Sequence, residues 1–328
     1  MSICVLAGDI GGTKTNLAIY ALAEHGKLAP VREASFPSRE YQRFDDVVAA
    51  FLPGAHERIA AAAFGIAGPV LGGVVQVTNL PWRIESAALG HAMGCPSVRL
   101  MNDLEATAFG ALSVGADQLV TLNTGQPRLG NRAVIAAGTG LGEALLFWDG
   151  KRYHASATEG GHVDFGARDE RERELLRFLS RQYGRVSWER VLSGPGLHNI
   201  FRFLDEEVGR SVPPAVRERM AREDPSAVIG ELGVSGGCPV CVEAVELFVS
   251  LYGSQAGNFA LTAMAVGGVY VGGGIAPKLL PKLQDGRFKA SFVAKDPHRA
   301  WLEQVPVHVL LDPKTSLLGA AYAAAELV

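Results

Sequence analysis

The sequence feature that most constrains the fold is a hairpin pattern at the N-terminus. An apolar run leads into Gly11, Gly12 and Thr13, and a second apolar run follows almost at once. Two such runs joined by adjacent glycines predict a β-hairpin. The turn offers backbone N–H groups, the Thr13 hydroxyl and the Lys14 ammonium to phosphate oxygens, and Asp9 places a carboxylate at the strand end. On this stretch alone, a glycine turn capped by an aspartate is an equally good interpretation.

The same pattern returns later in the chain. The apolar strand 134–137 ends in Gly138-Thr139-Gly140, and a return strand spans 144–148. We interpret this recurrence, about 130 residues apart, as a weak internal duplication. A third glycine turn, centred on Gly273, follows the apolar strand 269–271, and we expect a helix directly after it. Because glycine lets the backbone approach a phosphate or a flat ring, three such turns favour a nucleotide site held by two lobes.

Length and composition set the broad class. The chain has 328 residues, of which 48% are hydrophobic and 20% charged, with a net charge of -3. This length predicts two lobes, and the charge argues against nucleic acid or an anionic membrane as the main partner. No signal peptide is visible, and the apolar runs are too short or too glycine-broken to span a bilayer, so we expect a cytoplasmic protein. Four cysteines in a chain this long do not predict a disulfide framework.

The order of elements predicts the fold class and the domains. Strands alternate with helices at both ends of the chain and the middle is helical, which indicates an α/β protein. Helices are predicted at 84–93, 104–114, 171–183 and 239–265. The last strand, 307–311, and the closing helix, 317–327, are expected to return to the first lobe. The predicted domains are 1–111 plus 312–328, and 112–311.

Asn102 and Asp103 are the most suggestive pair for chemistry. They follow the strand 98–101 and begin a helix, at the strand end where open α/β sheets place their ligands. Asp103 can accept a proton from a bound hydroxyl, while Asn102 orients neighbouring groups and caps the helix. The helix dipole favours an ionised Asp103, a modest base that suits a loose transition state. The alternative is that both residues only cap the helix.

A second polar group lies in the middle of the chain. Glu159 and His162 are separated by two glycines, a spacing that lets both side chains bend toward one polyhydroxylated ligand. A metal site is disfavoured, because only Asp164 stands near as a third ligand. Ser187 is expected to cap a short helix that holds Glu189. Taken alone, Glu189 is best interpreted as a solvated helix carboxylate.

Several other motifs are absent or weak. The sequence has no G-x-x-x-x-G-K-[ST], and the first turn lacks the G-x-G-x-x-G of dinucleotide folds, which argues against hydride transfer. Cys238 and Cys241 have redox or zinc spacing, but no second pair accompanies them. We therefore favour two ordinary thiols.

Taken together, these motifs resemble those of bacterial glucokinases of the hexokinase/actin-like ATPase superfamily, outside the repressor/open-reading-frame/kinase group. The resemblance covers nearly the whole chain and keeps the motif order. Its segments are Gly8-Asp9-Ile10-Gly11-Gly12-Thr13, Asn102-Asp103, Gly138-Thr139-Gly140-Leu141-Gly142, Glu159-Gly160-Gly161-His162, Val191–Leu197, Gly272-Gly273-Gly274-Ile275 and Leu317-Leu318-Gly319-Ala320-Ala321.

The resemblance implies a two-lobed actin-like ATPase (ribonuclease H-like) fold, with a small α/β domain and a larger α+β domain around a cleft. It implies ATP-dependent phosphorylation of glucose at the 6-hydroxyl, the first step of glycolysis, with glucose and ATP as ligands and a homodimer as the expected assembly. Asp103 would be the catalytic base. The implied sugar ligands are Asn102, Asp103, Glu159, His162 and Glu189. The implied phosphate and Mg²⁺ ligands are Asp9, Gly11, Gly12, Thr13, Gly138, Thr139 and Gly140, with Asp9 meeting the metal through the nucleotide and Gly273 beside the adenosine.

Two departures and two rival functions accompany this resemblance. Lys14 stands where the closest glucokinases often have Asn, and Cys238 and Cys241 lack the third cysteine and the preceding histidine of the sister group's zinc site. The rivals are a kinase of another hexose or amino sugar, and a sugar-sensing regulator without catalysis. A repressor needs a DNA-binding element, for which we expect no room before the first strand.

Overall fold

The computed structural model describes residues 3–23, 27–53 and 58–328. Its strands are β1 Cys4–Ile10, β2 Lys14–Leu22, β3 Leu28–Pro37, β4 Ile59–Ile66, β5 Val70–Leu71, β6 Val74–Gln76, β7 Arg83–Glu85, β8 Val98–Asn102, β9 Leu119–Asn123, β10 Arg132–Ala137, β11 Leu141–Trp148, β12 Tyr153–Thr158, β13 Val269–Gly272 and β14 Val307–Leu310. Its helices are α1 Phe44–Phe51, α2 Ser86–Met93, α3 Asp103–Ala111, α4 Glu170–Tyr183, α5 Gly194–Arg202, α6 Pro214–Met220, α7 Pro225–Ser235, α8 Pro239–Ala263, α9 Leu280–Leu283, α10 Arg287–Val293, α11 Arg299–Leu302 and α12 Thr315–Ala325.

The chain forms two compact units. The first comprises Met1–Gly115, Ala155–Ala157 and Asp312–Val328, and the second comprises Ala116–His154 and Thr158–Leu311. The domain limits predicted from the sequence stay a prediction, since units defined by contacts need not fold independently.

The first unit is built on the N-terminal hairpin. Among its described residues, five strands form a sheet in the order β3-β2-β1-β4-β8. Strand β1 is antiparallel to β2 and parallel to β4, and β4 is parallel to β8, so the predicted hairpin is confirmed. One face of the sheet packs against Phe44 and Phe51 of α1. The other face packs against α3 and α12, where Phe109 and Leu317 belong to one buried cluster with Val5.

The second unit repeats the central part of this topology. Its sheet, in the described residues, has the order β12-β11-β10-β13-β14-β9. Strand β10 is antiparallel to β11 and parallel to β13, and β13 is parallel to β14. A hairpin strand followed by two parallel strands therefore occurs in both units, and the predicted duplication is confirmed at the level of topology.

The end of the chain is divided between the units. Helix α12 lies in the first unit, as expected from the sequence. The expectation that the last strand also returns there is wrong, because β14 lies between β13 and β9 in the second sheet. Its pairing on both edges satisfies backbone groups that a buried strand cannot leave unpaired.

The long helix α8 confirms the prediction for 239–265 and positions the strand ends of the second sheet. Its Tyr252 is fully buried, and the hydroxyl lies 3.2 Å from the carbonyl oxygens of both Ile135 and Gly272 while accepting from the N–H of Ala137 at 3.1 Å. The ends of β10 and β13 are thereby held at one point. In the described part of the chain no single helix is long and apolar enough to cross a membrane; α7 and α8 meet that measure only as a pair, which is bent by 97°.

Three local predictions need correction. Ile84 was expected to begin a helix, but it lies in β7, paired with Val75 and buried, and the helix starts at Ser86. The helix predicted from 104 to 114 already ends at Ala111. The helix expected directly after the third glycine turn begins only at Leu280, after a series of turns.

Candidate active site

The first glycine turn is closed by its own backbone and by one serine. The N–H of Gly11 donates to the carbonyl of Lys14 at 3.0 Å. Ser38 donates from its hydroxyl to the Gly11 carbonyl at 2.8 Å and from its N–H to the Thr13 carbonyl at 3.0 Å. The N–H groups of Gly12 and Thr13 have no acceptor among the described residues. Two backbone donors at this turn thus remain for a ligand, while Gly11 uses its own donor within the turn.

Asp9, near the end of β1, is partly buried and held by two donors. The Ser316 hydroxyl donates to its Oδ1 at 2.9 Å, and Asn16 Nδ2 donates to Oδ2 at 3.4 Å. Burial raises the pKa of this carboxyl, and the two hydrogen bonds only partly oppose the effect. No lysine or arginine in the described residues pairs with it. A buried carboxylate without a cation is costly, so this position suits a bound cation.

Asn102 and Asp103 are placed where the sequence predicted, between β8 and α3. The Asn102 side chain accepts from the N–H of Leu104 at 2.9 Å, which confirms the predicted N-cap, and donates to the carbonyl of Gly68 at 3.2 Å. Asp103 Oδ1 also accepts from Leu104 N–H at 2.9 Å. These bonds fix both side chains at the first turn of α3.

Asp9 and Asp103 both lie near Gly65, the residue of β4 that pairs with Asp9. A Cβ atom at Gly65 would lie 3.1 Å from the Ser316 hydroxyl oxygen and 3.7 Å from the Asp103 Cα. The hydroxyl that donates to Asp9 and the Asp103 Cα are therefore both close to this position of β4. The first unit brings the predicted metal ligand and the predicted base to one edge of its sheet.

In the second unit, the turn Gly138–Gly140 lies beside Gly273. The N–H of Gly138 donates to the carbonyl of Gly140, and the Gly138 carbonyl accepts from Gly194 N–H, both at 2.8 Å. Gly273 has a φ of +81°, and a Cβ there would lie 2.3 Å from the carbonyl oxygen of Ala137. Only glycine fits this close approach of two strand ends.

A cavity of about 620 Å³, in the range of small-molecule sites, opens beside these turns. The residues that line it include Gly138, Thr139, His198, Ser226, Gly274 and Lys278. Burial and the nearby Arg202 lower the pKa of His198, so the imidazole is neutral at neutral pH. The cavity thus combines glycine backbone with the ammonium group of Lys278 and the carboxylate of Asp224.

The three predicted sugar ligands of the second unit form one cluster. His162 Nε2 lies 3.8 Å from Glu159 Oε2, and His162 Nδ1 lies 4.0 Å from Glu189 Oε1. Glu159 and His162 are exposed, at 73% and 54% of their side chains, whereas Glu189 is 30% exposed. Three groups that can bind hydroxyls therefore face one another.

Glu189 is more than a solvated carboxylate. Its Oε2 accepts a hydrogen bond from the N–H of Leu141 at 3.0 Å, directly after the second glycine turn. The helix expected around it is a single 3-10 turn, Trp188–Arg190, and the Ser187 side chain does not cap it. Instead, Ser187 forms a β-bridge with Asp164. Glu189 thus links the cluster with Glu159 and His162 to the glycine turn.

Comparison with known proteins identifies the family. Residues 6–327 match the family model described as Glucokinase. The glucokinase of Trichormus variabilis is 37% identical, over 98% of this chain and 99% of its own. The chain belongs to the glucokinase family. The predicted family, the predicted actin-like ATPase fold class and the predicted activity, ATP-dependent phosphorylation of glucose, are confirmed.

Solved structures of glucokinases agree with this assignment. A glucokinase from an Antarctic psychrotroph is 28% identical, has a TM-score of 0.88, and is matched over 98% of this chain and 99% of its own. A glucokinase from Streptomyces griseus, of the ROK sister group and in complex with glucose and AMPPNP, is 22% identical with a TM-score of 0.65, over 98% and 99% of the two chains. This second likeness shows the fold alone.

Sequence reasoning missed the residues that support the glucokinase-family motifs. Ser316 donates to Asp9 across 307 positions of sequence, and Ser38 holds the first turn from 27 positions away. Glu143 of β11 is buried beneath the loop that carries Glu159 and His162. None of the three lies in a local pattern that marks a site. Only Glu143 carries a signal, a charged residue in an otherwise apolar strand.

The cysteines play no part in this site. All four are buried and none forms a disulfide, and burial raises the pKa of the Cys241 thiol, with Cys238 adding to the effect. A thiol with a raised pKa is a poor nucleophile and a poor metal ligand. Burial of both side chains is consistent with two ordinary thiols at Cys238 and Cys241, which stays a prediction.

Proposed function

We propose that the chain transfers the γ-phosphoryl group of ATP to the 6-hydroxyl of glucose, with Asp103 as the base that accepts the hydroxyl proton. The observation that carries this proposal is the placement of Asp103 at the first turn of α3, beside the Ser316 that donates to Asp9. A base and a metal-binding carboxylate at one sheet edge are the two acidic groups that phosphoryl transfer needs. Because the transition state is loose, little proton abstraction is needed and a weakly basic carboxylate is sufficient.

The sugar is held, in this proposal, by two sets of residues. In the first unit Asn102 orients a hydroxyl while its amide remains tied to Gly68 and Leu104. In the second unit Glu159, His162 and Glu189 accept from and donate to the remaining hydroxyls. Carboxylates and an imidazole distinguish hydroxyl positions, because an unmatched hydroxyl leaves a charged partner unpaired.

Mg²⁺ fits the residues of the first unit. Asp9 is a partly buried carboxylate. Among the described residues no lysine or arginine pairs with it, and no group of three histidine, cysteine or acidic side chains forms a dedicated metal cage. Mg²⁺ is commonly held by one or two carboxylates together with substrate phosphates. When bound, the ion would neutralise developing phosphate charge. The free N–H groups of Gly12 and Thr13, with Lys14, would bind phosphate oxygens.

The remaining phosphates and the adenosine of ATP are assigned to the cavity of the second unit. Gly138 and Thr139 line one wall of this cavity, Gly140 follows them in the turn, and Gly273 brings the adjoining strand end close. Lys278, at the cavity wall, supplies a positive charge for phosphate oxygens. The volume of the cavity, about 620 Å³, is sufficient for a nucleoside.

The deciding experiment is release of ADP that depends on glucose. Purified protein with ATP and Mg²⁺ should release ADP with glucose and much more slowly with mannose, fructose or N-acetylglucosamine. Faster turnover of another sugar would assign the chain to a different hexose or amino sugar. Glucose binding without turnover would indicate a sugar-sensing regulator. ADP and polyphosphate in place of ATP test the phosphoryl donor.

The assembly and location are also proposals. We propose a cytoplasmic homodimer that binds neither nucleic acid nor membrane, on the basis of the family resemblance and the net charge of -3. Light scattering on the eluting protein measures the mass directly, and a monomer of 34.7 kDa would contradict the dimer.

A further inference from the structure

Glu143 is a buried carboxyl that the proposed mechanism does not use. It lies in β11 opposite Ile135 of β10, and only 2% of its surface is exposed. Its Oε1 accepts from Gln255 Nε2 of α8 at 2.8 Å, and Gln255 in turn accepts from Asn258 Nδ2 at 3.0 Å. A carboxyl held this way has one fixed orientation.

The other carboxyl oxygen of Glu143 faces the loop Glu159–His162. A Cβ atom at Gly160 would lie 2.0 Å from Glu143 Oε2 and 2.9 Å from its Cδ, so the loop backbone rests directly on this carboxyl. The loop is tied to the same residue by a second route. Thr158 Oγ1 donates to the Glu143 carbonyl and accepts from Gly160 N–H, both at 3.1 Å.

The electrostatic surroundings of Glu143 favour its neutral form. Burial raises its pKa to about 7, and the Gln255 hydrogen bond only partly opposes this. Tyr252 of α8 is the other titratable group that interacts with it, and the loop above carries Glu159 and His162. No cation in the described residues pairs with Glu143. Its ionisation therefore places an uncompensated charge beneath the sugar-binding loop.

We propose that Glu143 is a positioning residue for the sugar: held by Gln255, its carboxyl supports Gly160 and so places Glu159 and His162 for glucose. This inference rests on the proposed sugar role of those two residues. It predicts an effect on the KM for glucose and little effect on the KM for ATP, because the carboxyl contacts the loop and not the cavity beside Gly138.

A double-mutant cycle tests the contact itself. Gly160→Ala adds a methyl group against Glu143 Oε2 and should raise the KM for glucose about tenfold. In the Glu143→Ala background the two closest atoms are gone and only Thr158 Oγ1 remains, 3.1 Å from the new Cβ, so the same change should raise KM less than about threefold. Gly166→Ala is the matched control, because a Cβ there meets nothing within 4 Å and KM should stay unchanged. An equal effect of Gly160→Ala in both backgrounds would overturn the proposal.

A second variant keeps the size of the side chain. In Glu143→Gln, Gln255 can still donate, so the KM for glucose at pH 6 should equal that of the wild type. Between pH 6 and 8 the wild-type KM should rise as Glu143 ionises, and the variant should lack that part of the rise. Identical profiles would contradict the positioning role. Wild-type turnover of glucose is measured first, because its absence would contradict the proposed function. If glucose is turned over but the substitutions at 143 and 160 affect the KM independently, only the positioning role of Glu143 is contradicted.

Discussion

The two hairpins of this protein, β1–β2 and β10–β11, share a topology but differ in where they carry a carboxylate. In both, the first glycine of the turn donates back across the turn, and its carbonyl accepts from outside the hairpin, from Ser38 in one and from Gly194 in the other. Asp9 stands two residues before Gly11, while Ala136 stands two residues before Gly138. The second hairpin thus repeats the backbone hydrogen bonding of the first turn but has no carboxylate at the position that corresponds to Asp9.

This difference indicates a division of labour between the units. A second carboxylate at position 136 would repel the phosphates that the turn is proposed to bind. The second hairpin instead takes its acids from elsewhere: Glu189 reaches Leu141 N–H from a distant 3-10 turn, and Glu143 is buried on the return strand. We therefore expect substitutions in the first unit to affect the chemical step and those in the second to affect binding.

The largest effect is expected at Asp103. Asp103→Ala removes the proposed base, and kcat should fall by about 10³, within the usual contribution of general base catalysis. Glucose should still bind measurably, which titration calorimetry can follow. Asp103→Asn, which keeps the shape and the bond from Leu104, should be impaired similarly. Near-normal turnover in either variant would remove Asp103 from the role of base.

Asp9→Asn should have the next largest effect. The amide oxygen of the asparagine can still accept the hydrogen bond from Ser316, but the negative charge that Mg²⁺ requires is removed. We therefore expect kcat to fall by about 10² and the Mg²⁺ concentration for half-maximal activity to rise. Ser316→Ala is the graded control, with a loss of about tenfold, because it removes one hydrogen bond to the carboxylate. Steady-state rates across a Mg²⁺ titration measure both. An unchanged Mg²⁺ requirement in Asp9→Asn would place the metal elsewhere.

In the second unit, Glu189→Gln should alter the binding of both substrates. The wild-type carboxylate faces His162 and also accepts from Leu141 N–H, so the KM for glucose should rise about tenfold and the KM for ATP by a smaller factor. Glu159→Gln is the matched control, since Glu159 is exposed and only the KM for glucose should change. If neither variant changed the KM for ATP, the hydrogen bond between Glu189 and Leu141 N–H would not contribute to ATP binding.

The sequence predicted the parts of this arrangement that depend on local patterns. Glycine turns after apolar strands, and Asn102 before a helix, have local signatures, and the structure confirms them. Ser316, Ser38 and Glu143 act through contacts with residues far along the chain, and no local pattern encodes such contacts. The same limit explains β14, whose place depends on which sheet edge is open rather than on its own composition.

A prediction of a different kind concerns stability and the buried acid of the second hairpin. The pKa of Glu143 is about 7 in the folded protein, above the ordinary value of 4.5 that applies to the unfolded chain. Between these values the folded state keeps a proton that the unfolded state has released, so this stabilisation is present below pH 4.5 and is lost as pH rises to about 7.

Glu143→Gln removes this dependence. Relative to the wild type, its free energy of unfolding should rise with pH by on the order of 1 kcal/mol per unit across that window and level off above it. Thermal unfolding at pH 5, 6, 7 and 8 measures the difference, with Glu159→Gln as an exposed control that should show none. Because Gln255 can donate to either side chain, the packing is matched and only the charge differs. Parallel curves for wild type and Glu143→Gln would mean that the carboxyl ionises without cost, and the contrast between the two hairpins would then rest on Asp9 alone.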